Sequence, residues 1–298
     1  IRTGVRFADE NGRPRARTAH VIVGHERLAT LTYSGAATLW RINLGWRRRS
    51  DRDRFGFLLD TERGIWQRRR EEEAIANEDD TRGTIERVVP FVEDRRNALL
   101  FEPAPQLSAE TMASLAAALK KAIQVTFQLE EQELAVEPLP APDNRRVLLF
   151  YEAAEGGAGV LRRLVTESDA LSRVARAALE LCHFDPETGA DLRRAPRARE
   201  DCEAACYDCL MSYTNQPDHR LLDRSLVRDL LMELVRARCE PSPAPQPRHA
   251  HLEGLLRLCR TELERRWLRF VDARGLELPS RAQVFIAQAR ARPDFLYD

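Results

Sequence analysis

Apolar positions in the first hundred residues fall in short runs broken by glycines and polar turns, without helical spacing. Val21 to Val23, Ala36 to Leu44, Phe55 to Leu59, Val88 to Val92 and Ala98 to Phe101 read as strands. Gly35, Gly45, Gly56 and Gly64 punctuate them. From Ser108 the period changes. Met112, Leu115, Leu119, Ala122 and Ile123 recur at helical spacing behind Ser108 as N-cap, which predicts a helix to about Glu130 that Pro138, Pro140 and Pro142 stop. Val147 to Tyr151 reads as a strand, and the loop Glu152 to Gly159 leads into a helix carrying Val160, Leu161, Leu164, Leu171 and Val174. A second helix, from about His219 to Arg238, presents Leu222, Leu226, Leu230, Leu231 and Leu234 on one face. Pro241, Pro243, Pro245 and Pro247 then mark a semi-rigid linker. Beyond it Leu252 to Ala273 is amphipathic, Gly275 caps that helix, and Gln283 to Ala287 and Phe295 to Tyr297 read as strands around Pro293-Asp294.

The pattern predicts an α+β protein: a β-rich part over 1–107, a helical metal-binding part over 108–240, a Pro-rich linker over 241–250 and a short α/β segment over 251–298. Gly156, Gly157 and Gly159 between strand and helix invite a phosphate-loop reading. No Gly-Lys-Ser/Thr ending follows and no full G-x-G-x-x-G is present. The glycines are therefore expected to supply turn geometry and close packing of strand on helix.

The chemistry is concentrated in the cysteines. Of six, Cys202, Cys206 and Cys209 crowd into eight residues, followed by the turn Asn215-Gln216-Pro217. Thiolates at such spacing converge on one ion, and a fourth ligand completes the tetrahedron that zinc prefers. Cys182 is the nearest upstream cysteine, and the polar stretch with Pro186, Gly189 and Pro196 reads as a loop able to return it to the cluster. A catalytic ion would instead keep one position open, with His183 or His219 as a nitrogen ligand. Cys206-Tyr-Asp-Cys209 is formally a redox C-x-x-C, but an acidic, Ala-rich segment and a third cysteine precede it, where a redox pair would follow a strand. Disulfides do not suit a chain of this length without a secretory signal. Cys239 and Cys259 are expected as buried apolar groups on helical faces.

Composition adds a bias without a net sign: 47 basic residues balance 47 acidic ones. Lys120 and Lys121 are the only lysines. Ten arginines fall between Arg41 and Arg70, just before the acidic run Glu71 to Asp80, as in a solvated face with a linker or in a nucleic-acid groove beside an acidic loop. No apolar stretch is long enough to span a membrane, and a cytoplasmic location is expected. The start at Ile1 and the extended finish at Asp298 read as ends cut from a longer polypeptide.

Three segments together resemble a known family. Phe150-Tyr-Glu-Ala-Ala-Glu-Gly-Gly-Ala-Gly-Val160, the cysteine set, and Cys209-Leu-Met-Ser-Tyr-Thr-Asn-Gln216 with Leu222-Asp-Arg224 are similar to the MrfA-like zinc-binding domain, found C-terminal to DEAD/DEAH-box helicase motors and in the DrmB subunit of the DISARM phage-defence system. Ile42-Asn-Leu-Gly45, Phe55-Gly-Phe57 and Leu129-Glu-Glu-Gln-Glu-Leu134 extend the resemblance over roughly residues 20–240. It implies a structural zinc on Cys182, Cys202, Cys206 and Cys209, and work on DNA beside an ATP-driven motor, on the same polypeptide or a partner subunit, in repair or phage defence. No motor motif is present in these residues, so ATP hydrolysis is not expected of them. Under that resemblance Arg47, Arg48, Arg49 and Arg52 are the expected phosphate contacts. Trp46 and Trp66 are expected in the core, or else as stacking surfaces for bases. A third reading makes the protein a scaffold that docks a motor through the helix Leu221 to Leu234.

The segment after the linker has a separate resemblance. Glu264, Gly275-Leu276, Pro279 and Arg292-Pro-Asp-Phe295 are similar to the opening half of a PD-(D/E)XK nuclease of the very-short-patch-repair type. That implies Mg²⁺ held by Asp294 and Glu264 in a parent endonuclease. The Glu-x-Lys half is missing, so this stretch is expected to be inactive alone.

Overall fold

The computed structural model describes residues 1–7, 16–46, 51, 53–67, 84–153, 157–242, 248–276, 278–279, 281–283 and 292–297. The chain divides into two units, Ile1–Ser242 and Pro243–Asp298, with the boundary inside the proline-rich stretch.

The first unit is built on an antiparallel sheet with strand order β10-β2-β3-β7-β9-β8, from β2 (Arg17–Val23), β3 (Glu26–Ile42), β7 (Phe91–Pro103), β8 (Leu134–Ala141), β9 (Asn144–Glu152) and β10 (Arg238–Pro241). β1 (Arg2–Arg6) pairs with the far half of β3. Strands from both sides of residue 107 thus share one sheet. Helices α1 (Ala109–Phe127), α2 (Val160–Thr166), α3 (Ala170–Leu181) and α4 (Ser225–Arg236) complete the unit. Met112, Leu115 and Leu119 of α1, Val174 and Ala178 of α3, and Val227, Leu231 and Leu234 of α4 form one core with Leu31, Leu99, Phe101, Leu148 and Phe150 of the sheet.

Alternation along the strands divides their side chains between two faces. Leu148 and Phe150 enter the helix-covered core, whereas Leu149 and Tyr151 join a smaller cluster. In β3 the odd-numbered residues change face part-way. Leu31 and Tyr33 lie in the main core, but Ala37 and Leu39 lie in the other cluster. One extra residue between Ser34 and Ala37 shifts the register against β7, and a one-residue slip inverts every side chain beyond it. The predicted strand break at Gly35 is therefore a bulge inside one long strand.

Two other boundaries differ from expectation. The prolines expected only to stop α1 lie partly within β8, where Pro138 and Pro140 are tolerated because β8 is a sheet edge paired only to β9. The helix predicted from His219 begins as a 3₁₀ helix (Tyr213–Leu221), and α4 starts at Ser225. Ser108 caps α1 as expected, its side chain accepting from the Thr111 N–H.

The glycine loop has an internal anion. Glu152, at the end of β9, is 1% exposed, and its carboxylate accepts from Gly159 N and Leu161 N at the start of α2 and from Asn97 Nδ2, at 3.0, 2.9 and 2.8 Å. A Cβ on Gly157, whose φ is +64°, would lie 1.9 Å from that carboxylate. The place a phosphate would take at this helix terminus is thus filled by the protein's own side chain.

β4 (Phe57–Asp60), β5 (Ile65–Trp66) and β6 (Ile85–Val88) form a separate small sheet. On it Trp46 and Trp66 pack edge-on against Phe57, at 5.3 and 5.9 Å between centroids, and remain 40% and 50% exposed. They do not enter the main core. Cys239, expected on a helix, lies buried on β10.

In the second unit α5 (Arg248–Leu258) and α6 (Glu262–Ala273) pack with the two-residue strands β11 (Arg281–Ala282) and β12 (Phe295–Leu296) around Leu255, Cys259, Leu268 and Val271. No helix among the described residues is long and apolar enough to cross a membrane.

Candidate metal centre

The centre is assembled where α3 ends. The chain leaves the helix at Cys182, runs through a loop to Cys202, and turns sharply between Cys206 and Cys209. Cys202 is fixed by its own N–H, which donates to Arg193 O at 2.7 Å. In the turn, Cys206 N donates to the Cys209 sulfur at 3.0 Å and Met211 N to Cys206 O at 2.9 Å. The sulfurs of Cys202 and Cys209 lie 3.7 Å apart and those of Cys206 and Cys209 3.5 Å apart. His183 Nε2 is 3.3 Å from the Cys206 sulfur. Donor atoms of His183, Cys202, Cys206 and Cys209 all lie within 4.8 Å of one another, the one such group of three or more among the described residues.

The three shorter separations, 3.3 to 3.7 Å, are close to the edges of one tetrahedral ion. Zn–S bonds of about 2.3 Å and a Zn–N bond of about 2.0 Å give donor–donor edges of roughly 3.5 to 3.8 Å. A disulfide needs sulfurs about 2.05 Å apart, and all six cysteines are free thiols. Of the predicted ligands, Cys202, Cys206 and Cys209 meet. Cys182, 0% exposed, shares the main core with Cys202 and Cys209; burial and then the Cys209 sulfur raise its pKa, but it is not one of the four donors within 4.8 Å of one another. His219 is engaged elsewhere: its Nε2 lies 3.0 Å from both Ser212 O and Asn215 Oδ1, bracing the turn that follows the cluster.

Burial sets the electrostatics. It pushes the Cys202 thiol up to about 12, helped by the neighbouring Cys209 sulfur, and raises Cys209 as well. Burial, and then the Arg224 guanidinium, lower the pKa of His183, which favours the neutral ring a metal requires.

Three cations brace the surroundings of the cluster. Lys121 of α1 donates to Tyr207 O and Asp208 O, each at 2.7 Å, so an ammonium closes the Cys206–Cys209 turn. Arg145 of β9 grips Asp218 of the 3₁₀ helix through two bonds of 3.0 and 2.6 Å. Arg224, 4% exposed, donates to Cys202 O through Nε and Nη2 at 3.0 and 2.8 Å and to Cys182 O at 3.3 Å. It also forms a fork with Asp191 at 2.8 and 2.9 Å and lies over the Phe184 ring at 4.9 Å. Of the three, the sequence singles out Arg224 only as part of the Leu222-Asp-Arg224 segment of the family resemblance, with no clamp role. The signal for Lys121 was its rarity: a compact ammonium suits two converging carbonyls better than a planar guanidinium.

Other predicted positions fall elsewhere. Arg47, Arg48, Arg49 and Arg52 lie outside the described residues. The leucine face of α4 is used internally, with Val227, Leu231 and Leu234 buried and Leu226 exposed. In the second unit, Glu264 closes the first turn of α6, its carboxylate accepting from Arg260 N and Thr261 Oγ1 at 2.8 Å each. Gln283 Nε2 lies 3.0 Å from Asp294 Oδ1 and 3.4 Å from Glu264 Oε2, so the two predicted acids share one amide.

Residues 115–210 match the MrfA Zn-binding domain. The matched segment runs from the middle of α1 through all four converging donors. No curated protein sequence matches the chain. Among solved structures, a crystal structure of the DUF1998 helicase MrfA bound to DNA is similar at a TM-score of 0.40 and 11% identity, covering 78% of this chain and 25% of that one. The chain thus spans about a quarter of that helicase.

Proposed function

We propose that the protein is a zinc-stabilised accessory module of a DEAD/DEAH-box DNA helicase, or of a helicase-associated protein, acting in DNA repair or phage defence. One observation carries the reading: the segment similar to the MrfA Zn-binding domain is the segment in which three cysteine sulfurs and a further donor converge. Zinc would supply folding energy to a loop that has little regular structure of its own. DNA would be held through phosphates, with Arg47, Arg48, Arg49 and Arg52 as contacts, and the half-exposed Trp46 and Trp66 offer aromatic faces near them in sequence. The motor would be part of the same polypeptide or a partner subunit.

The test is fluorescence anisotropy of a labelled oligonucleotide across a salt series. Affinity is expected to fall steeply with salt, and Arg47→Ala with Arg48→Ala to lower the log–log slope by about 1 to 2. Binding that is absent at low salt, or unchanged in the double variant, would remove the DNA role.

The shared amide of Gln283 favours a second reading, in which the second unit belongs to a Mg²⁺-dependent endonuclease with Asp294 and Glu264 as metal ligands. Nicking of supercoiled plasmid by the intact polypeptide with Mg²⁺ should then disappear in Asp294→Asn. Nicking that survives this change would end the assignment.

A further inference from the structure

The sheet of the first unit ends at β8, and the outer edge of that strand pairs with no strand among the described residues. Which of its backbone groups are left over follows from the register. Ala153 N donates to Glu133 O at 2.8 Å, and Ala135 and Glu137 stand opposite Tyr151 and Leu149 in the same phase. In an antiparallel pair the residues between those positions turn both N–H and C=O away from the neighbouring strand. Leu134 and Val136 therefore each present a donor and an acceptor outward, and Pro138, next in that phase, presents an acceptor alone. The proline sits where its missing N–H costs the sheet nothing, and it confines the free donors to the stretch before it.

That stretch lines a groove of about 1210 Å³, above the roughly 300 to 1,000 Å³ usual for a small-molecule site. Ala113, Ala116 and Ala117 of α1 line it as well, small residues that leave room beside the strand, and Tyr213 of the 3₁₀ helix lines it while 81% exposed. Most of the charges there are already engaged. Arg145 is paired with Asp218, Arg41 with Glu137, and Lys121 with two backbone carbonyls. Lys120 differs: among the described residues its ammonium has the Thr214 hydroxyl, at 3.4 Å, with Glu131 as a more distant opposite charge, and burial lowers its pKa. One half-satisfied cation does not suit a phosphate backbone, which carries a charge at every step and would meet Glu131, Glu137 and Asp218 along the same groove. It suits a single carboxylate.

We propose that this groove takes up an extended peptide segment of a partner protein, which adds a strand to the open edge of β8 at Leu134 and Val136, lays alternate side chains toward the alanines of α1 and sets an acidic side chain against Lys120. Main-chain bonds at the two free positions supply affinity, and the groove supplies the choice of side chains. An open strand edge is a template for pairing unless it is blocked, and here the block begins only at Pro138. Tyr213 is the aromatic side chain that the incoming segment covers.

The probe is a phage-displayed library of random dodecapeptides selected against the full chain, with the enriched sequences then measured as synthetic peptides by fluorescence anisotropy. They are expected to carry an acidic residue among alternating apolar ones. On binding to the wild-type chain they should slow hydrogen exchange at the Leu134 and Val136 amides, a readout that needs no variant. Val136→Pro removes an outward donor at a position in phase with Pro138, where the sheet tolerates proline, and should weaken binding by about tenfold or more. Val136→Ala keeps the donor and should change binding by less than about threefold. Lys120→Glu and Tyr213→Ala should each cost about tenfold. Peptides that protect another surface instead, or whose affinity is unchanged in folded Val136→Pro, overturn the proposal, and so does a library that yields no binder. An oligothymidylate whose binding is lost in Lys120→Glu, with no peptide enriched, also overturns it and makes the groove a nucleic-acid site.

Discussion

Cys209→Ser is expected to abolish stoichiometric zinc binding and to lower the melting temperature of the first unit by about 10 °C or more. The sulfur of Cys209 lies 3.7 Å from that of Cys202 and 3.5 Å from that of Cys206, and it accepts the Cys206 N–H. On the proposed zinc reading its replacement therefore removes a ligand and loosens the turn that presents another. The loop from Phe184 to Cys202 contains one isolated bridge, Phe184 to Asp191, and no helix or strand, so few of its own contacts can substitute for the ion. Loss of a structural metal is among the changes that cost more than about 4 kcal/mol. At about 2 to 4 °C per kcal/mol for a domain of this size, that gives the shift above. Differential scanning calorimetry with parallel elemental analysis checks it. A strong chelator should reproduce the shift in the wild type, with recovery on adding zinc, and should do nothing to the variant. Equal melting temperatures with and without chelator would mean that the protein holds this loop unaided.

The same centre should respond to pH. Burial holds Cys202 at about 12 and raises Cys209, so both are thiols at neutral pH in the metal-free chain. Each must lose its proton to become a ligand, so zinc binding releases protons and the affinity rises with pH. The chelator-sensitive part of the stability is accordingly largest at alkaline pH and is lost as the pH falls.

Much of this architecture was legible because the signals were local. The helix from Ser108 announces itself by an N-cap and a regular apolar period, and the strand Val147 to Tyr151 by a compact apolar run. The three clustered cysteines lie so close in sequence that any tight turn brings them together. The fourth donor was not legible in the same way. Spacing leaves Cys182 and His183 equally near, and it does not show that His183 closes α3 at φ +62° with its Nε2 3.3 Å from the Cys206 sulfur. Long-range clamps were hidden for a similar reason. Arg145, Lys121 and Arg224 act on backbone or acidic groups far along the chain, and in a chain so rich in arginine two of them look like ordinary surface charges. The proline-bearing strand β8 was missed because proline marks a break by local rules, and only the finished sheet shows this strand to be an edge.

Arg224→Ala should destabilise the first unit by about 3 to 5 kcal/mol and weaken zinc binding at the same time. The guanidinium satisfies the carbonyls of Cys182 and Cys202 inside the protein, and removing a buried charged donor from such a set costs about that much. Asp191 is half exposed, so water replaces much of what it loses, and the cost arises mainly at the two carbonyls. Arg224→Lys should recover little, because a single ammonium cannot reach both carbonyls and the Asp191 carboxylate in the geometry of the fork. Asp191 supplies an independent readout. The Arg224 hydrogen bond holds its carboxyl below the usual carboxylate range, so the pair contributes above the ordinary aspartate pKa of about 4 and its contribution is lost as the pH falls through the depressed folded value. Urea unfolding of wild type and Arg224→Ala at pH 7 and pH 3 should therefore show a smaller difference at pH 3, while the carbonyl contribution remains at both. A difference that is equal at the two pH values would place Asp191 outside the clamp, and no difference at either would leave the two arms of the metal site held by the ion alone.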